Sequence, residues 1–442
     1  VVILCGGKGT RMGNLAVRVP KPMVLVAGKP ILEHQIELAR RYGCNEVMLL
    51  TGHMGEVIQS HFQDGSAHGV RTQYHREEVP LGTAGALKEI EDRLDENFFV
   101  FYGDTIMDVD LARLAAFHVE TKAQATLVVH PNHHPYDSDL LDMDAGSRIT
   151  AFHPKPRGPA CIHRNLANAA LYVLSRGLLQ YAVHGQHADL AKDVFPAALA
   201  AGAALRGYNT SEYITDVGTP ERLRSVEADV LSGRVARFNR NHPRPAVFLD
   251  RDGVLNVDAD PVASPEQLRL LPSVAEAIRR INHSEYLAVV VTNQPAIAKG
   301  FMDEADLARV HAGLETLLGA EHALLDRICF CPHHPERGFA GERPEYKIVC
   351  QCRKPEPGML LAAAAELNID LANSFMVGDR SADILAGARA GCKTILVRTG
   401  VAGKDGRFPC RPDFVCDDLA AAVSIVLDAQ KRALLSPKCV IA

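Results

Sequence analysis

The chain has 442 residues, 47% of them hydrophobic and 23% charged, with a formal net charge of -5 and a mean hydropathy of -0.03. This length exceeds one ordinary core, so two domains are expected; the composition excludes a disordered or membrane-embedded chain, and the negative balance argues against a nucleic-acid binder while leaving room for local basic pockets that hold phosphates. No apolar run approaches the roughly 20 residues of a membrane span, the first residues carry no basic head or cleavage site, and the odd count of 11 cysteines suits reduced thiols, so a cytoplasmic protein without membrane partners is expected.

Both halves alternate short β-branched runs with longer Ala- and Leu-rich segments, which reads as α/β with parallel sheets covered on both faces. In "ILCGGKGTRMG" a short strand ends in Gly6, Gly7 and Gly9, which let the backbone turn tightly and bring its N–H groups to an anion; Thr10 and Arg11 follow. "VPKPM" then sets Lys21 between two prolines that hold the backbone extended and present its ammonium from a stiff loop. After the strand-like "EVMLL", "PLGTAGAL" is a small-residue loop leading into a helix, with Gly82, Thr83 and Gly85. "FFVFYGD" delivers Asp104 at the end of an apolar strand, and "ITDVGTPERL" offers Asp216 ahead of a helix start. A glycine-rich turn alone is weak, and a lone lysine or strand-end aspartate is usually structural; the ordered set carries the reading.

This set resembles the sugar-1-phosphate nucleotidyltransferase family over residues 1–228, closest to the branch that makes GDP-heptose or GDP-mannose. The resemblance implies a Rossmann-like, glycosyltransferase A-like fold in which Gly6, Gly7, Gly9, Thr10 and Arg11 wrap a nucleoside triphosphate. Lys21 would contact phosphate near the reacting centre, Gly82, Thr83 and Gly85 would lie near the base, and Asp104 and Asp216 would hold Mg²⁺. Many relatives carry a Glu-Lys-Asp type segment that touches the sugar; here "DLAKDVFP" has Ala191 in place of the glutamate, while Lys192 and Asp193 remain.

Residues 232–245, "SGRVARFNRNHPRP", are basic, polar and closed by prolines, which suits a linker between a domain of residues 1–231 and one of residues 246–430, with residues 431–442 as a tail. The second domain opens with "AVFLDRDGVLN". An apolar strand ending in Asp-x-Asp-Gly puts Asp250 and Asp252 at its carboxyl end, where open α/β sheets place ligands. Asp250 is the expected nucleophile of an aspartyl-phosphate mechanism and Asp252 the general acid and base. Adjacent carboxylates that must meet a phosphate imply a divalent cation, and Asp379 in "FMVGDRSAD" is the expected further ligand beside Asp250 and Asp252, with Mg²⁺ the expected ion. "VVVTNQ" offers Thr292 and Asn293 to phosphate oxygens, "CRKPEPGM" supplies Arg353 and the charge-offsetting Lys354, and Asp383 is placed to orient the lysine or metal waters.

These motifs resemble the haloacid dehalogenase-type phosphatases over about residues 246–400, most closely the histidinol-phosphate and heptose-bisphosphate branch, and imply a haloacid dehalogenase-like Rossmannoid fold. "TNQPAIA" departs from that branch's "TNQSGIA", with Ala296 in place of glycine. "CPHHPE" and "CQCRKP" set Cys331, His333, Cys350 and Cys352 at the spacing of a tetrahedral structural Zn²⁺ site, with His334 a substitute for His333 and Cys329 just outside the pattern. Both resemblances meet in one sequence of reactions, phosphate removal from a heptose 1,7-bisphosphate and then nucleotidyl transfer from GTP or another nucleoside triphosphate to the heptose 1-phosphate. The alternatives are mannose 1-phosphate or another sugar 1-phosphate with a histidinol-phosphate-type phosphatase, or a nucleotide-sugar sensor that has lost catalysis. Oligomeric state stays open.

Overall fold

The computed structural model describes residues 1–7, 19–158, 161–259 and 261–435. It divides into two compact units. The first takes Val1–His130, Asp139–Pro154 and Leu166–His242, and the second takes Pro131–Ser138, Lys155–Asn165 and Pro243–Ala442.

In the first unit, strands Val2–Leu4, Glu46–Thr51, Arg71–Arg76 and Asn97–Tyr102 pair in parallel, with Val2–Leu4 between Glu46–Thr51 and Asn97–Tyr102. Successive residues of the first strand explain why it is central. Val2 enters one apolar cluster with Leu50, Val100 and Leu127, and Ile3 enters another with Leu32, Ile36 and Leu49, so both faces are buried. Helix Ile31–Arg41 covers the second face with Leu32, Ile36 and Leu38. Strand Ala167–Ser175 extends the sheet antiparallel to Asn97–Tyr102. The chain reverses its direction of travel across the sheet between Val2–Leu4 and Asn97–Tyr102, so the crevice at their carboxyl ends is the place for a ligand. A separate antiparallel pair, Thr105–Asp108 with Tyr213–Asp216, brings Asp216 opposite Thr105.

The second unit is a six-stranded sheet in which every pairing is parallel, ordered Arg327–Cys331, Leu287–Asn293, Ala246–Leu249, Phe375–Gly378, Lys393–Val397, Phe414–Cys416. Val247 and Leu249 pack into one cluster and Ala246 and Phe248 into another, the two-faced burial that makes "AVFL" continuous in apolar character. Its switch point lies between Ala246–Leu249 and Phe375–Gly378, whose next residues are Asp250 and, one residue beyond Gly378, Asp379.

Two features differ from the expected layout. Residues 232–245 are not an open linker up to the break at Pro243: Arg234–Arg237 form a short helix, Asn239 Nδ2 donates to Asp108 Oδ1 at 2.7 Å, and Arg240 N donates to Glu212 Oε1 at 2.9 Å. Buried acids of the first unit recruit this polar stretch because each needs donors. In the second unit, Arg164 and Asn165 are held on helix Glu304–Ala320, where buried Glu315 accepts from Arg164 Nε at 2.5 Å and from Asn165 N at 3.2 Å. The tail expected from residue 431 begins as the end of helix Leu419–Leu435. Among the described residues no helix is long and apolar enough to cross a membrane.

Candidate active sites

In the first unit the strand Val2–Leu4 runs into Gly6 and Gly7. A Cβ at Gly6 would stand 2.7 Å from Glu77 Oε2, so a side chain there would need that flexible carboxylate to move. Gly9, Thr10 and Arg11 lie outside the described residues. Pro20 is extended, as a proline pair dictates, but Lys21 opens a 3-10 turn over Lys21–Met23 and is buried there. Its Nζ reaches Asp104 Oδ2 at 2.5 Å. Asp104 and Asp216 come together through the backbone, since Val217 N donates to Asp104 O at 2.8 Å. Arg222 Nη1 binds both oxygens of Asp216, at 2.5 and 2.7 Å. The carboxylates keep 32% and 36% side-chain exposure, so each is ion-paired yet partly open to a ligand, and oxygen donors of this kind are those magnesium takes.

Gly82, Thr83 and Gly85, expected in a loop, instead form the first turn of helix Gly82–Glu89, which packs against residues 186–190. A Cβ at Gly82, whose φ is +74°, would lie 2.5 Å from Ala188 O, and one at Gly85 would lie 2.7 Å from Gln186 O. Close backbone approach therefore explains both glycines. Lys192 is exposed on the π-helical turn Leu190–Val194.

In the second unit the predicted acids and lysine converge. Buried Lys354 Nζ lies 2.9 Å from Asp250 Oδ1 and 2.7 Å from Asp383 Oδ1, and donates to Val291 O at 2.7 Å. Asp250, Asp379 and Asp383 each offer an oxygen within 4.8 Å of the others. Asp379 Oδ2 accepts from Val401 N at 2.7 Å, while its buried Oδ1 has no partner. Burial first, then mutual repulsion, pushes Asp250 up to about 7 and Asp379 up to about 8, with Lys354 pulling Asp250 the other way. Burial disfavours the lysine's charge, but the two acids outweigh it and hold its pKa above the ordinary value. Three buried carboxylates around one ammonium, with an oxygen left over, fit a divalent cation with oxygen ligands.

Asp252 faces elsewhere. Arg251, fully buried, donates from Nε and Nη2 to Asp252 Oδ1 at 3.1 and 3.0 Å and from Nη2 to Oδ2 at 2.9 Å; Asn256 and Gln294 add bonds at 2.9 and 2.8 Å. Burial alone would raise its pKa, but these donors, Arg251 foremost, hold it below the ordinary carboxylate value. The structure thus groups Asp383, and not the Asp252 carboxylate, with Asp250 and Asp379. Thr292 is buried and accepts from Gln294 Nε2 at 2.9 Å. Asn293, expected to bond phosphate, donates to Lys354 O and accepts from Lys354 N, both at 3.0 Å, fixing the lysine's backbone.

Cys331, His333, Cys350 and Cys352 close into one group. The Sγ of Cys352 lies 3.2 Å from that of Cys331 and 3.3 Å from that of Cys350, and His333 Nδ1 is 3.3 Å from Cys352 Sγ. Four-ligand soft clusters of this kind hold a metal tetrahedrally with no open position. His334 and Cys329 are not in the group. Arg353 Nη1 donates to His333 O at 3.0 Å, so the cluster's loop is bonded to the residue next to Lys354.

Arg251, Gln294, Asn256 and Glu77 escape the sequence reading. Arg251 had one available signal, its place between the two acids; the others act through contacts across loops that spacing does not encode.

The sequence matches the nucleotidyl transferase family over residues 1–233 and the HAD-hydrolase-like family over residues 351–422. It is 35% identical over 234 residues to the mannose-1-phosphate guanylyltransferase of Mycobacterium tuberculosis, covering 52% of this chain and 64% of that one, so it spans less than two thirds of that relative's length. It is 41% identical over 188 residues to the D-glycero-D-manno-heptose-1,7-bisphosphate 7-phosphatase of Thermosynechococcus vestitus, covering 41% of this chain and 94% of that one. The solved structure of a D,D-heptose 1.7-bisphosphate phosphatase from B. bronchiseptica, complexed with magnesium and phosphate, is 37% identical with a TM-score of 0.37, covering 42% of this chain and 98% of that one.

Proposed function

The chain belongs to the nucleotidyl transferase family and, in its other half, to the family of the heptose-1,7-bisphosphate 7-phosphatases, and from that premise we propose that it performs two consecutive steps of nucleotide-activated heptose synthesis. The second unit removes the C7 phosphate of D-glycero-D-manno-heptose 1,7-bisphosphate. The first transfers a nucleotidyl group, GMP from GTP, to the resulting heptose 1-phosphate and releases pyrophosphate. The observation that carries the phosphatase half is Lys354 bridging Asp250 and Asp383, beside the unpartnered Asp379 oxygen.

In the phosphatase reaction an Asp250 oxygen attacks the C7 phosphorus and the phosphorus–oxygen bond to the sugar breaks, with Asp252 giving its proton to the leaving alkoxide. Asp252 then takes a proton from water, which attacks the aspartyl-phosphate and frees inorganic phosphate and Asp250. Before the first step Asp252 must exchange an Arg251 bond for a proton; for the second it is already in its basic form. Lys354 offsets charge on nucleophile and phosphate. Asp250 and Asp379, with Asp383 beside them, would hold magnesium, which when bound neutralises the carboxylates and the phosphate.

In the transferase reaction the sugar phosphate is already an ionised nucleophile, so attack on the α-phosphorus needs no strong base, and positioning two repelling anions is the main task. Lys21 supplies positive charge beside Asp104, and Arg11 is proposed for the triphosphate. Asp104 and Asp216 would hold magnesium, which supplies further charge neutralisation. The Cys₃His group is proposed to hold structural zinc that pins the loop leading to Arg353 and Lys354. Use of a nucleoside triphosphate supports a cytoplasmic location.

Incubation with each anomer of heptose 1,7-bisphosphate, magnesium and each common nucleoside triphosphate, followed by mass, tests the proposal. GDP-heptose with release of inorganic phosphate is expected. The likeness to a mannose-1-phosphate guanylyltransferase favours a second reading. Turnover of mannose 1-phosphate with GTP and none of heptose 1-phosphate would select it.

A further inference from the structure

The first turn of helix Gly82–Glu89, expected to face the base, is bonded to the segment expected to face the sugar. Leu81 O accepts from Ala188 N at 2.8 Å, and Ala188 O accepts from Ala84 N and Gly85 N at 2.9 and 3.1 Å. Thr83 Oγ1 donates to Asp189 Oδ2 at 3.0 Å and accepts from Leu190 N at 2.8 Å. Asp189 Oδ1 caps the turn that follows, accepting from Ala191 N at 2.9 Å and Lys192 N at 3.1 Å, and Asp193 Oδ2 closes it by accepting from Asp189 N at 2.7 Å. Both Asp189 oxygens are therefore engaged by the protein, which leaves the residue a holding task.

What it holds is unusual. Leu190–Val194 is a π-helical turn, marked by the bond from Val194 N to Asp189 O at 3.1 Å. Such turns are rare and concentrate at functional sites. This one presents exposed Lys192 and Asp193. Lys192 has a long, mobile side chain, and a charge of that kind contributes to recognition only when its backbone is fixed beforehand.

We propose that Thr83 and Asp189 are positioning residues that latch the Leu190–Val194 turn to the first turn of helix Gly82–Glu89, so that Thr83 serves recognition of the sugar phosphate through the turn and not the nucleotide base. The proposal rests on the reading of the first unit as a sugar-1-phosphate nucleotidyltransferase. It also accounts for Gly82 and Gly85, whose missing side chains admit the 186–188 backbone.

The test compares Thr83→Val, which keeps shape and loses the hydroxyl, with Thr83→Ser, which keeps it. Loss of a hydrogen bond to a charged group predicts that Thr83→Val raises the KM for the sugar 1-phosphate about 10-fold, with the KM for the nucleoside triphosphate within about 2-fold and kcat little changed. Thr83→Ser should restore the wild-type KM. A rise for the triphosphate alone, or an equal rise for both substrates, overturns the proposal. Amide hydrogen exchange on the same proteins reads the latch without turnover: Leu190, Ala191 and Lys192 should exchange about 10-fold faster in Thr83→Val, with the strand Asn97–Tyr102 unchanged. Unchanged exchange at the turn overturns the latch. A wild-type protein that transfers no nucleotidyl group to any sugar 1-phosphate sinks the reading of the unit instead, and the exchange result still decides the latch.

Discussion

Asp252 is bound by a fully buried guanidinium one residue away, while Asp250, two residues back, is bound by the ammonium of Lys354. Two acids of one motif are thereby given different electrostatic surroundings: burial raises Asp250, while Arg251 holds Asp252 below the ordinary carboxylate value. Replacing the proposed proton donor, Asp252→Asn, should lower phosphatase turnover by about 10²- to 10⁴-fold and leave nucleotidyl transfer at its wild-type rate, measured on the two half-reactions separately. The acids of the cation cluster make a second prediction. Asp250 and Asp379 are raised to about 7 and about 8, chiefly by burial, so in this window the folded metal-free protein holds protons that the unfolded chain has released. Their contribution to stability is full below about pH 4 and is lost as pH rises towards about 8. Thermal melts in chelator should therefore show the wild type losing ground to Asp379→Asn from about pH 5 to about pH 8, and magnesium should raise the wild-type Tm most at the upper end. A flat difference between the two proteins contradicts this. Asp250, Asp379 and Lys354 were legible because each follows an apolar run or sits in a short motif. The use of Asn293 was not, because the same amide can serve a ligand or a backbone, and only the fold brings Lys354 to it.

At the scale of elements, strands were read well where both faces are buried. Ala246–Leu249 and Val2–Leu4 are continuous apolar runs because neighbours cover them on two sides. Residues 232–245 were read as a linker because their polarity resembles a connection, yet the same polarity satisfies Asp108 and Glu212. Composition does not distinguish a solvated donor from one recruited by a buried acid. Gly82 carries a prediction at this scale. Its φ is +74° and a Cβ would meet Ala188 O at 2.5 Å, so Gly82→Ala should destabilise the first unit by about 1–3 kcal/mol, read by chemical denaturation. An unaltered transition contradicts the close approach. The cysteine loop carries another. Cys350→Ser should lose bound metal and, through the bond from Arg353 to His333 O, most phosphatase turnover, with nucleotidyl transfer retained. Metal analysis beside turnover checks it, and a metal-free variant with normal phosphatase activity refutes it.

On the scale of the whole molecule, the sequence carried two folds, since each half repeats the pattern of apolar strand and helix and each has candidate site residues at the carboxyl end of its first strand. It did not carry the assignment of Pro131–Ser138 and Lys155–Asn165 to the second unit, because that depends on pairings such as Arg164 with Glu315 across a long separation in sequence. Two activities on one chain are most economical when the product of one is the substrate of the other. In the proposed order, phosphate removal precedes nucleotidyl transfer. The most direct test is Asp250→Asn protein given GTP and magnesium with either heptose 1,7-bisphosphate or heptose 1-phosphate, with nucleotide sugar followed by mass. GDP-heptose is expected from the monophosphate at the wild-type rate and none from the bisphosphate until wild-type phosphatase is added. Nucleotide sugar formed from the bisphosphate by the variant alone, still carrying its C7 phosphate, would contradict the order.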